Sequence, residues 1–333
     1  MDIAELRARL DGIPRTTLAS LPTPLRNLPR LRAALGPEAP EIRIKLDEET
    51  GFGLGGNKVR KLEYALAPQR IAKATHLVTT GGTQSNHCRV TAAAAARLGL
   101  GCVLVVNGPV HDPPTGNALL HRLYGAHLRQ VGGRDEREPA MRAAAEEIAS
   151  AGGSASVIPL GASTPLGALG YVRAALELHD QLQAETDRAV QIVVASSSGG
   201  TLGGLWAGLA VLARPDWSVL AVSSDTPQDD LRSAARELAR GALELLAVDP
   251  DLADRVAARI EVTDSQVGPG YGIPTEAANE AAELFALSEG VLLDPVYTAK
   301  AGAGMIAAVR EGSFPTGDRI VFWHTGGHPA LFS

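Results

Sequence analysis

The chain has 333 residues, of which 45% are hydrophobic and 20% charged, and a formal net charge of -6. This composition is typical of a soluble globular protein with about two domains, and the absence of a basic stripe argues against nucleic-acid binding. The N-terminal sequence lacks the apolar stretch of a secretory signal and no run of about 18 apolar residues follows, so we expect a cytoplasmic protein with no membrane association.

The predicted elements follow the pattern of an α/β fold. From about residue 41 onward, short β-branched runs alternate with longer helical patterns, which indicates βα units around a mainly parallel sheet. In chain order, strands are predicted at residues 41–46, 75–80, 102–107, 189–195, 218–223, 290–293 and 319–323. Helices are predicted at residues 86–98, 140–150, 201–212, 229–246 and 274–286. Before the first strand, Pro22 and Pro24 forbid a helix and favour an extended segment.

A glycine-rich turn at residues 51–58 follows the first predicted strand and brings Lys58 to the start of a helix. The turn contains a G-x-G-x-x-G match, but dinucleotide binding also needs an acidic residue about 20 positions further on. No Asp or Glu occurs between Tyr64 and Asn107, so a dinucleotide site would lack its ribose contact, and the absence of Gly-Lys-Ser/Thr excludes a P-loop. A tight turn with a solvated lysine remains the alternative on these residues alone.

The lysine and cysteine content limits which catalytic and metal-binding groups the chain can supply. Only five of the 31 basic residues are lysines, and arginine cannot replace lysine where a deprotonated amine is required. Two cysteines, Cys88 and Cys102, are too few for a disulfide framework or a four-ligand zinc site. We therefore expect no metal, and Lys58 is one of few candidates for a reactive amine.

Two further polar loops each lead into a predicted helix. Residues 80–87 offer hydroxyl, amide and backbone N–H groups at a helix start, which suits a carboxylate; alternatively, Ser85 only caps the helix. Residues 195–201 form a Ser/Gly cup that suits a monophosphate. All three loops lie at the carboxyl ends of strands, where open α/β sheets bind ligands. An amine, a carboxylate site and a phosphate cup together indicate a pyridoxal-phosphate (PLP) enzyme that acts on an amino acid.

In this order and spacing, the motifs resemble the D-cysteine desulfhydrase and 1-aminocyclopropane-1-carboxylate (ACC) deaminase family, a group of fold type II, tryptophan-synthase-β-like PLP enzymes. The motifs are LPTPL (21–25), GGNKVRKLE (55–63), QSNH (84–87), SGGT (198–201), GYG (270–272), DPVYT (294–298) and HTGG (324–327). The resemblance implies a homodimer of two-domain chains, each domain with a mainly parallel twisted sheet flanked by helices. It places a large PLP-binding domain at residues 1–55 and 168–333 and a small inserted domain at 56–167.

The resemblance also implies roles for individual residues. Lys58 carries PLP as a Schiff base. The implied catalytic residues are Lys58, Ser85, Tyr271 and Tyr297. The other implied cofactor contacts are Lys61, Asn86, Ser198, Gly199, Gly200, Thr201 and Thr298. The implied substrate-binding residues are Ser85, Asn86, His87, Tyr271 and Tyr297. The role of His324, which ends the last predicted strand, stays open.

Thr298 distinguishes the two branches of the family that this chain resembles. ACC deaminases place a glutamate beside the pyridine nitrogen of the cofactor, whereas the desulfhydrase branch places a threonine, which cannot supply a charge that keeps the nitrogen protonated. We therefore expect a PLP-dependent β-elimination that converts D-cysteine to pyruvate, ammonia and hydrogen sulfide. The alternatives are an L-cysteate sulfo-lyase, an ACC deaminase, a PLP-binding protein that has lost turnover, and a nucleotide-dependent oxidoreductase built on the glycine-rich turn.

Overall fold

Two β-sheets organise the chain, for which a computed structural model describes residues 2–185, 188–212 and 214–333. The strands are β1 (Leu25–Asn27), β2 (Glu41–Leu46), β3 (His76–Gly82), β4 (Gly101–Asn107), β5 (His127–Gln130), β6 (Ala155–Val157), β7 (Val190–Ser196), β8 (Trp217–Ser223), β9 (Ile260–Thr263) and β10 (Arg319–His324). A six-stranded sheet has the order β1-β2-β10-β7-β8-β9, and a four-stranded sheet has the order β5-β4-β3-β6. Only β1 and β2 pair antiparallel; the other pairs between these strands are parallel.

Helices cover both faces of the sheets. They are α1 (Ile3–Gly12), α2 (Pro29–Leu35), α3 (Asn57–Ala65), α4 (Pro68–Ile71), α5 (Asn86–Leu98), α6 (Gly116–Leu123), α7 (Arg137–Ser150), α8 (Pro165–Leu182), α9 (Gly200–Val211), α10 (Gln228–Leu245), α11 (Leu252–Arg255), α12 (Glu276–Glu289) and α13 (Thr298–Arg310). Short 3-10 helices lie at Asp47–Glu49, Leu160–Ala162, Ala257–Arg259 and His328–Phe332. Within the described part of the chain, no helix is long and apolar enough to cross a membrane.

The six-stranded sheet separates two apolar cores because successive side chains of a strand point to opposite faces. On β7, Ile192 and Val194 pack with α8, α9 and α10, whereas Val193 and Ala195 pack with α2, α12 and α13. A third core lies between the four-stranded sheet and the helices α3 and α5. Parallel strands that are buried on both faces read as continuous apolar runs, which is why the sequence pattern of these strands is so clear.

The predicted fold class is confirmed, with most predicted elements displaced by only one to three residues. The strands of the larger sheet all fall before residue 50 or after residue 185, and those of the smaller sheet fall between residues 76 and 157. The domain boundaries at 55/56 and 167/168 stay a prediction. The strands β5, β6 and β9 escaped prediction because their runs are short or polar, as in His-Leu-Arg-Gln of β5.

The strand predicted at residues 290–293 is wrong. Gly290 ends α12 in the left-handed conformation with φ 66°, which satisfies the last carbonyls of the helix. The following apolar residues have no partner strand among the described residues, and Leu293 instead packs into the core beside α12 and α13. The carbonyl oxygen of Leu292 contacts the Nε2 atoms of His324 and His328 at 2.9 and 3.0 Å. A short apolar run therefore serves as a connection between helices.

Close packing of α8 on α9 depends on Gly204. A methyl group added at Gly204 would lie 2.3 Å from the carbonyl oxygen of Ala168 and 2.4 Å from Cβ of Tyr171. We expect Gly204→Ala to lower the free energy of unfolding by about 1–3 kcal/mol, the usual cost of overpacking, as measured by urea denaturation. Gly12→Ala is the control, because a methyl group on Gly12 would meet nothing within 4 Å. Equal stability of the two variants would contradict this explanation.

Candidate active site

The glycine-rich turn folds back on the end of β2 before it enters α3. The N–H of Gly56 donates to the carbonyl oxygen of Asp47 at 2.8 Å, and the N–H of Asn57 donates to that of Thr325 at 2.9 Å. Gly55 has φ 68°, and a Cβ there would lie 1.7 Å from the carbonyl oxygen of Glu48, so only glycine fits. The turn thereby joins the ends of β2 and β10 to the first turn of α3, which carries Lys58.

The amine of Lys58 lies where two cavities meet. Lys58 lines a cavity of about 630 Å³ that also contains Ser85, His87, Tyr271 and Tyr297. It also lines a smaller adjoining cavity formed by residues of the loop before α9. Burial lowers the pKa of the Lys58 amine from 10.5 to about 8. A sizeable fraction of neutral amine is therefore present near neutral pH, as a nucleophile and proton acceptor requires.

The smaller cavity has the character of a phosphate site. Its wall includes Lys61 and the loop Ser198, Gly199, Gly200 and Thr201. Helix α9 begins at Gly200, so the N–H groups of its first turn have no partners within the helix. The hydroxyl of Ser196 is buried without a hydrogen-bond partner among the described residues. The Lys61 amine, hydroxyls and backbone N–H groups thus fit the phosphate of PLP, with the Lys58 amine in reach of the same cavity.

Three contacts in the smaller cavity were missed by sequence analysis. Ser163 Oγ lies 2.8 Å from Ser198 Oγ, and Lys61 Nζ donates to Ser163 Oγ at 3.3 Å. Asn57 Nδ2 donates to Thr201 Oγ1 at 3.0 Å. Ser163 approaches the loop from before α8, and nothing in its local sequence indicates this long-range contact. Asn57 adjoins Lys58, and its position in the glycine-rich motif was the available signal.

The loop before α5 supplies polar groups to both cavities. Ser85 caps α5, since its Oγ accepts from the N–H of Cys88 at 3.2 Å, and it also lines the large cavity. Ser85 therefore caps the helix, and its contact with a substrate carboxylate stays a prediction. Asn86 lines the smaller cavity, and its Oδ1 accepts from Asn117 Nδ2 at 2.9 Å. His87 lies 2.8 Å through Nε2 from Thr79 Oγ1; burial and the charges of the nearby lysines hold its pKa well below the usual value, so the ring is neutral.

Two tyrosines, Tyr271 and Tyr297, line the same large cavity as Lys58. The hydroxyl oxygens of Tyr271 and Tyr297 are 2.6 Å apart, and the rings meet edge to face with centroids 6.1 Å apart. Burial, followed by the neighbouring Tyr271, raises the pKa of Tyr297 well above its usual value. Both phenols are therefore protonated at neutral pH, and the pair offers a proton to a ligand in the cavity.

Thr298 is the predicted site residue that the structure does not bring into either cavity wall. It is fully buried at the start of α13. Its Oγ1 donates to Asp294 Oδ1 at 2.8 Å and accepts from the N–H of Asp294 at 2.7 Å. The Asp294 carboxylate also accepts the N–H groups of Val296 and Tyr297, both at 3.0 Å. In this structure Thr298 helps to shape the turn that presents Tyr297, and its contact with the cofactor stays a prediction.

His324 contacts Glu48. Its Nδ1 lies 2.9 Å from Glu48 Oε2 and also accepts from the N–H of Gly326 at 3.2 Å. Burial alone would lower the pKa of His324, but Glu48 raises it above the usual value. Glu48, His324 and His328 could each offer one ligand atom within 4.8 Å of the others. Since both imidazoles already contact the carbonyl oxygen of Leu292, these side chains have partners without an ion, and the expectation of no metal stays a prediction.

The depressed pKa of Lys58 can be measured on the cofactor-free protein. Only the neutral amine forms an imine with an aldehyde, so the rate of PLP uptake should rise about tenfold from pH 6 to pH 7 and level off above about 8. Stopped-flow absorbance would follow the uptake. A rate that continues to rise toward pH 10 would show a lysine with its usual pKa and would contradict the effect of burial.

Two mainly parallel sheets, a buried lysine at a helix start and an adjoining phosphate cup are features of PLP enzymes. The family model described as "Pyridoxal-phosphate dependent enzyme" matches residues 16–326. The chain therefore belongs to the pyridoxal-phosphate dependent enzyme family, and PLP is its cofactor.

Relatives within the family agree with the resemblance predicted from the sequence. The chain is 41% identical over 329 residues to a D-cysteine desulfhydrase of Salmonella choleraesuis (strain SC-B67), with 97% of each chain covered. It is 40% identical over 329 residues to the D-cysteine desulfhydrase of Salmonella newport (strain SL254), again with 97% of each chain covered. Among solved structures, an ACC deaminase homologue matches with a TM-score of 0.88 and 36% identity, covering 98% of this chain and 96% of that one. The predicted family is confirmed.

Proposed function

We propose that the protein is a D-cysteine desulfhydrase that converts D-cysteine and water to pyruvate, ammonium and hydrogen sulfide. The observation that carries the proposal is the position of one low-pKa amine, Lys58, between a phosphate cup and a cavity lined by two protonated tyrosines. The 41% identity to a desulfhydrase along almost the whole chain supports this assignment.

The residues of the smaller cavity would hold the cofactor. Lys61, Ser198, Gly199, Gly200 and Thr201 surround the volume that suits a phosphate, and Asn86 lies beside it. PLP attached to Lys58 supplies an electron sink that makes the Cα proton of a bound amino acid acidic. Lys58 lines both cavities, so a substrate bound in the larger cavity would lie within reach of a cofactor attached to this lysine.

Groups of the protein itself would carry out the binding and proton-transfer steps of the elimination. The N-terminus of α5, with Ser85, would bind the substrate carboxylate. The neutral Lys58 amine would accept the Cα proton, and the tyrosine pair would donate a proton to the departing sulfur. His87 contributes a polar but uncharged wall, since its imidazole is neutral. His87 and the two tyrosines have the protonation states that these roles require, and the pKa of about 8 gives Lys58 a neutral fraction near neutral pH.

Tyr297→Phe tests the proton donor. We expect roughly a hundredfold loss of kcat, as is typical when a general acid is removed, with the sulfide release rate as the measurement. Tyr124→Phe is a matched control outside both cavities, at the end of α6, and should retain the wild-type rate. If kcat of Tyr297→Phe stayed within twofold of the wild-type value, the proton donor would have to be another group.

A substrate panel tests the proposed function directly. The purified protein would be supplied with PLP and with D-cysteine, L-cysteine, L-cysteate, β-chloro-D-alanine or ACC, and the keto acid and released group would be measured together. D-Cysteine should give pyruvate and sulfide in equal amounts. If L-cysteate were the best substrate and gave sulfite, the protein would be an L-cysteate sulfo-lyase. If ACC were the best substrate and gave 2-oxobutyrate, it would be an ACC deaminase.

We further propose that the protein acts as a homodimer in the cytoplasm. Large apolar side chains remain exposed on the single chain, including Leu123 at 67% and Phe332 at 73% exposure, and such residues are typical of association surfaces. Light scattering should give a mass near twice 34.6 kDa. A mass equal to that of one chain would contradict the dimer.

A further inference from the structure

One cation in the wall of the large cavity has no anionic partner. Three arginines line the cavity. Arg134 pairs with Asp225 at 3.2 Å, and Arg142 pairs with Glu138 at 2.7 Å. Within the described part of the chain, no carboxylate lies within ion-pair distance of the third, Arg137. Apart from Lys58, the uncompensated positive charge of the cavity therefore resides on Arg137.

Neutral groups hold the guanidinium of Arg137 in place. Its Nε donates to Asn107 Oδ1 at 2.8 Å, and its Nη2 donates to the same oxygen. Asn107 ends β4 and Arg137 begins α7, so two elements of the smaller sheet's unit orient the side chain. No described residue accepts from Nη1, which leaves that nitrogen available to a ligand.

The surroundings of Arg137 disfavour a positive charge in the absence of a ligand. Burial and the charge of Arg134 lower its pKa, against opposing effects of Cys88, Tyr271 and Tyr297. A cation in the first turn of a helix also faces the positive end of the helix dipole. An anion bound beside Arg137 would offset the burial of the charge, the repulsion from Arg134 and the unfavourable helix dipole. Tyr271 and Tyr297 line the same cavity as Lys58 and Arg137.

We propose that Arg137 forms an anion subsite for the β-substituent of the substrate, separate from the carboxylate site at the start of α5. The subsite rests on the proposed β-elimination and defines its substrate class as alanine derivatives whose β-substituent carries a negative charge when bound, such as a sulfonate or a thiolate.

The charge of the β-substituent lies beside Arg137 throughout the reaction. The Cα–H bond breaks, its proton passes to the Lys58 amine, and its electron pair forms the Cα–Cβ double bond. The Cβ–S bond breaks, its electron pair leaves with the sulfur group, and the tyrosine pair donates a proton to that sulfur. Water then converts the remaining fragment to pyruvate and ammonium. Arg137 thus stabilises the charge that the substituent carries before and after the bond breaks.

Paired substrates test the subsite. For Arg137→Gln, we expect kcat/KM for cysteate, assayed as both enantiomers, to fall by about 30-fold, the worth of a charge-assisted hydrogen bond. The value for β-chloroalanine, whose substituent is neutral, should change by less than about threefold. Arg137→Lys should keep part of the preference because it keeps the charge. Arg129→Gln is the matched control, since Arg129 pairs with Glu147 outside the cavity, and should leave both values unchanged.

A binding measurement separates this inference from the proposed function. In the Lys58→Ala background with PLP present, calorimetry would compare cysteate with serine, before and after Arg137→Gln. Selective loss of cysteate affinity supports the subsite even if no compound of the panel is turned over. Absence of turnover would contradict the proposed function but not the subsite. Equal losses for cysteate and serine, or for cysteate and β-chloroalanine, would show that Arg137 binds the shared carboxylate, and the subsite would be overturned.

Discussion

Lys58→Ala is expected to lower the elimination rate by about a thousandfold or more, since the replaced amine serves both as the cofactor attachment and as the base. The variant should also lose the visible absorbance of the bound cofactor. The physical reason is specific to this lysine, because its burial lowers the pKa to about 8 and its position gives it access to both cavities.

Lys73→Ala is the control for this experiment, because Lys73 is exposed in the turn after α4 and touches neither cavity. Lys73→Ala should retain both the absorbance and the rate. Addition of a small primary amine such as methylamine should restore part of the activity of Lys58→Ala by supplying a diffusible base. Full activity of Lys58→Ala without added amine would show that the base has been assigned to the wrong residue.

Arg60→Met is expected to lower the free energy of unfolding by about 3–5 kcal/mol, the cost of breaking a buried ion pair from one side. Arg60 is almost completely buried; its Nη2 lies 2.8 Å from Asp47 Oδ1 and 2.9 Å from Glu177 Oε1. Lys45 also contacts Glu177, and the hydroxyl of Tyr171 donates to Asp47. Two cations and two anions therefore balance, and removal of one leaves a buried negative charge unpaired.

Urea denaturation of Arg60→Met would be compared with that of Arg97→Met, which removes an exposed arginine from the last turn of α5. The control should change the free energy of unfolding by less than about 0.5 kcal/mol. A loss below about 1 kcal/mol for Arg60→Met would mean that the neighbouring groups rearrange or that water enters the cluster.

The buried charged cluster of Arg60, Lys45, Asp47 and Glu177 also makes the stability of the protein depend on pH in acid. Burial alone would raise the pKa of Glu177, but hydrogen bonds and charges from Arg60 and Lys45 lower it to about 2, against an ordinary value of 4.5. A carboxylate with a depressed pKa stabilises the fold fully above its unfolded pKa. This contribution should persist above about pH 4.5 and be lost as the pH falls toward 2.

Much of the active site could be predicted because its parts are local in sequence. A glycine turn that ends in Lys58, a Ser/Gly loop before α9 and a polar loop before α5 each combine a backbone requirement with a chemical group in one short segment. Strands buried on both faces were equally clear. Order and spacing then added the family, which no single motif identifies.

The residues that escaped prediction depend on contacts between distant segments. Arg137 resembles any surface arginine in a charged helix, and only the fold places it in the wall of the Lys58 cavity, with no carboxylate of the described residues within ion-pair distance. Ser163 meets Ser198 by the same route. The apolar run after Gly290 was misassigned because its periodicity does not reveal whether a neighbouring strand exists. Thr298 was interpreted from the family pattern, whereas its hydrogen bonds in the structure belong to the turn at Asp294.

The residues of helix α3 have two roles, since some line the cavities and another anchors the helix to the core. Lys58 and Lys61 face the cavities, while Arg60, between them, anchors the helix to the 3-10 helix after β2 through Asp47 and to α8 through Glu177. Acid that neutralises Glu177 would release the segment that holds the reactive amine. Loss of the cofactor site and unfolding at low pH should therefore occur as a single event.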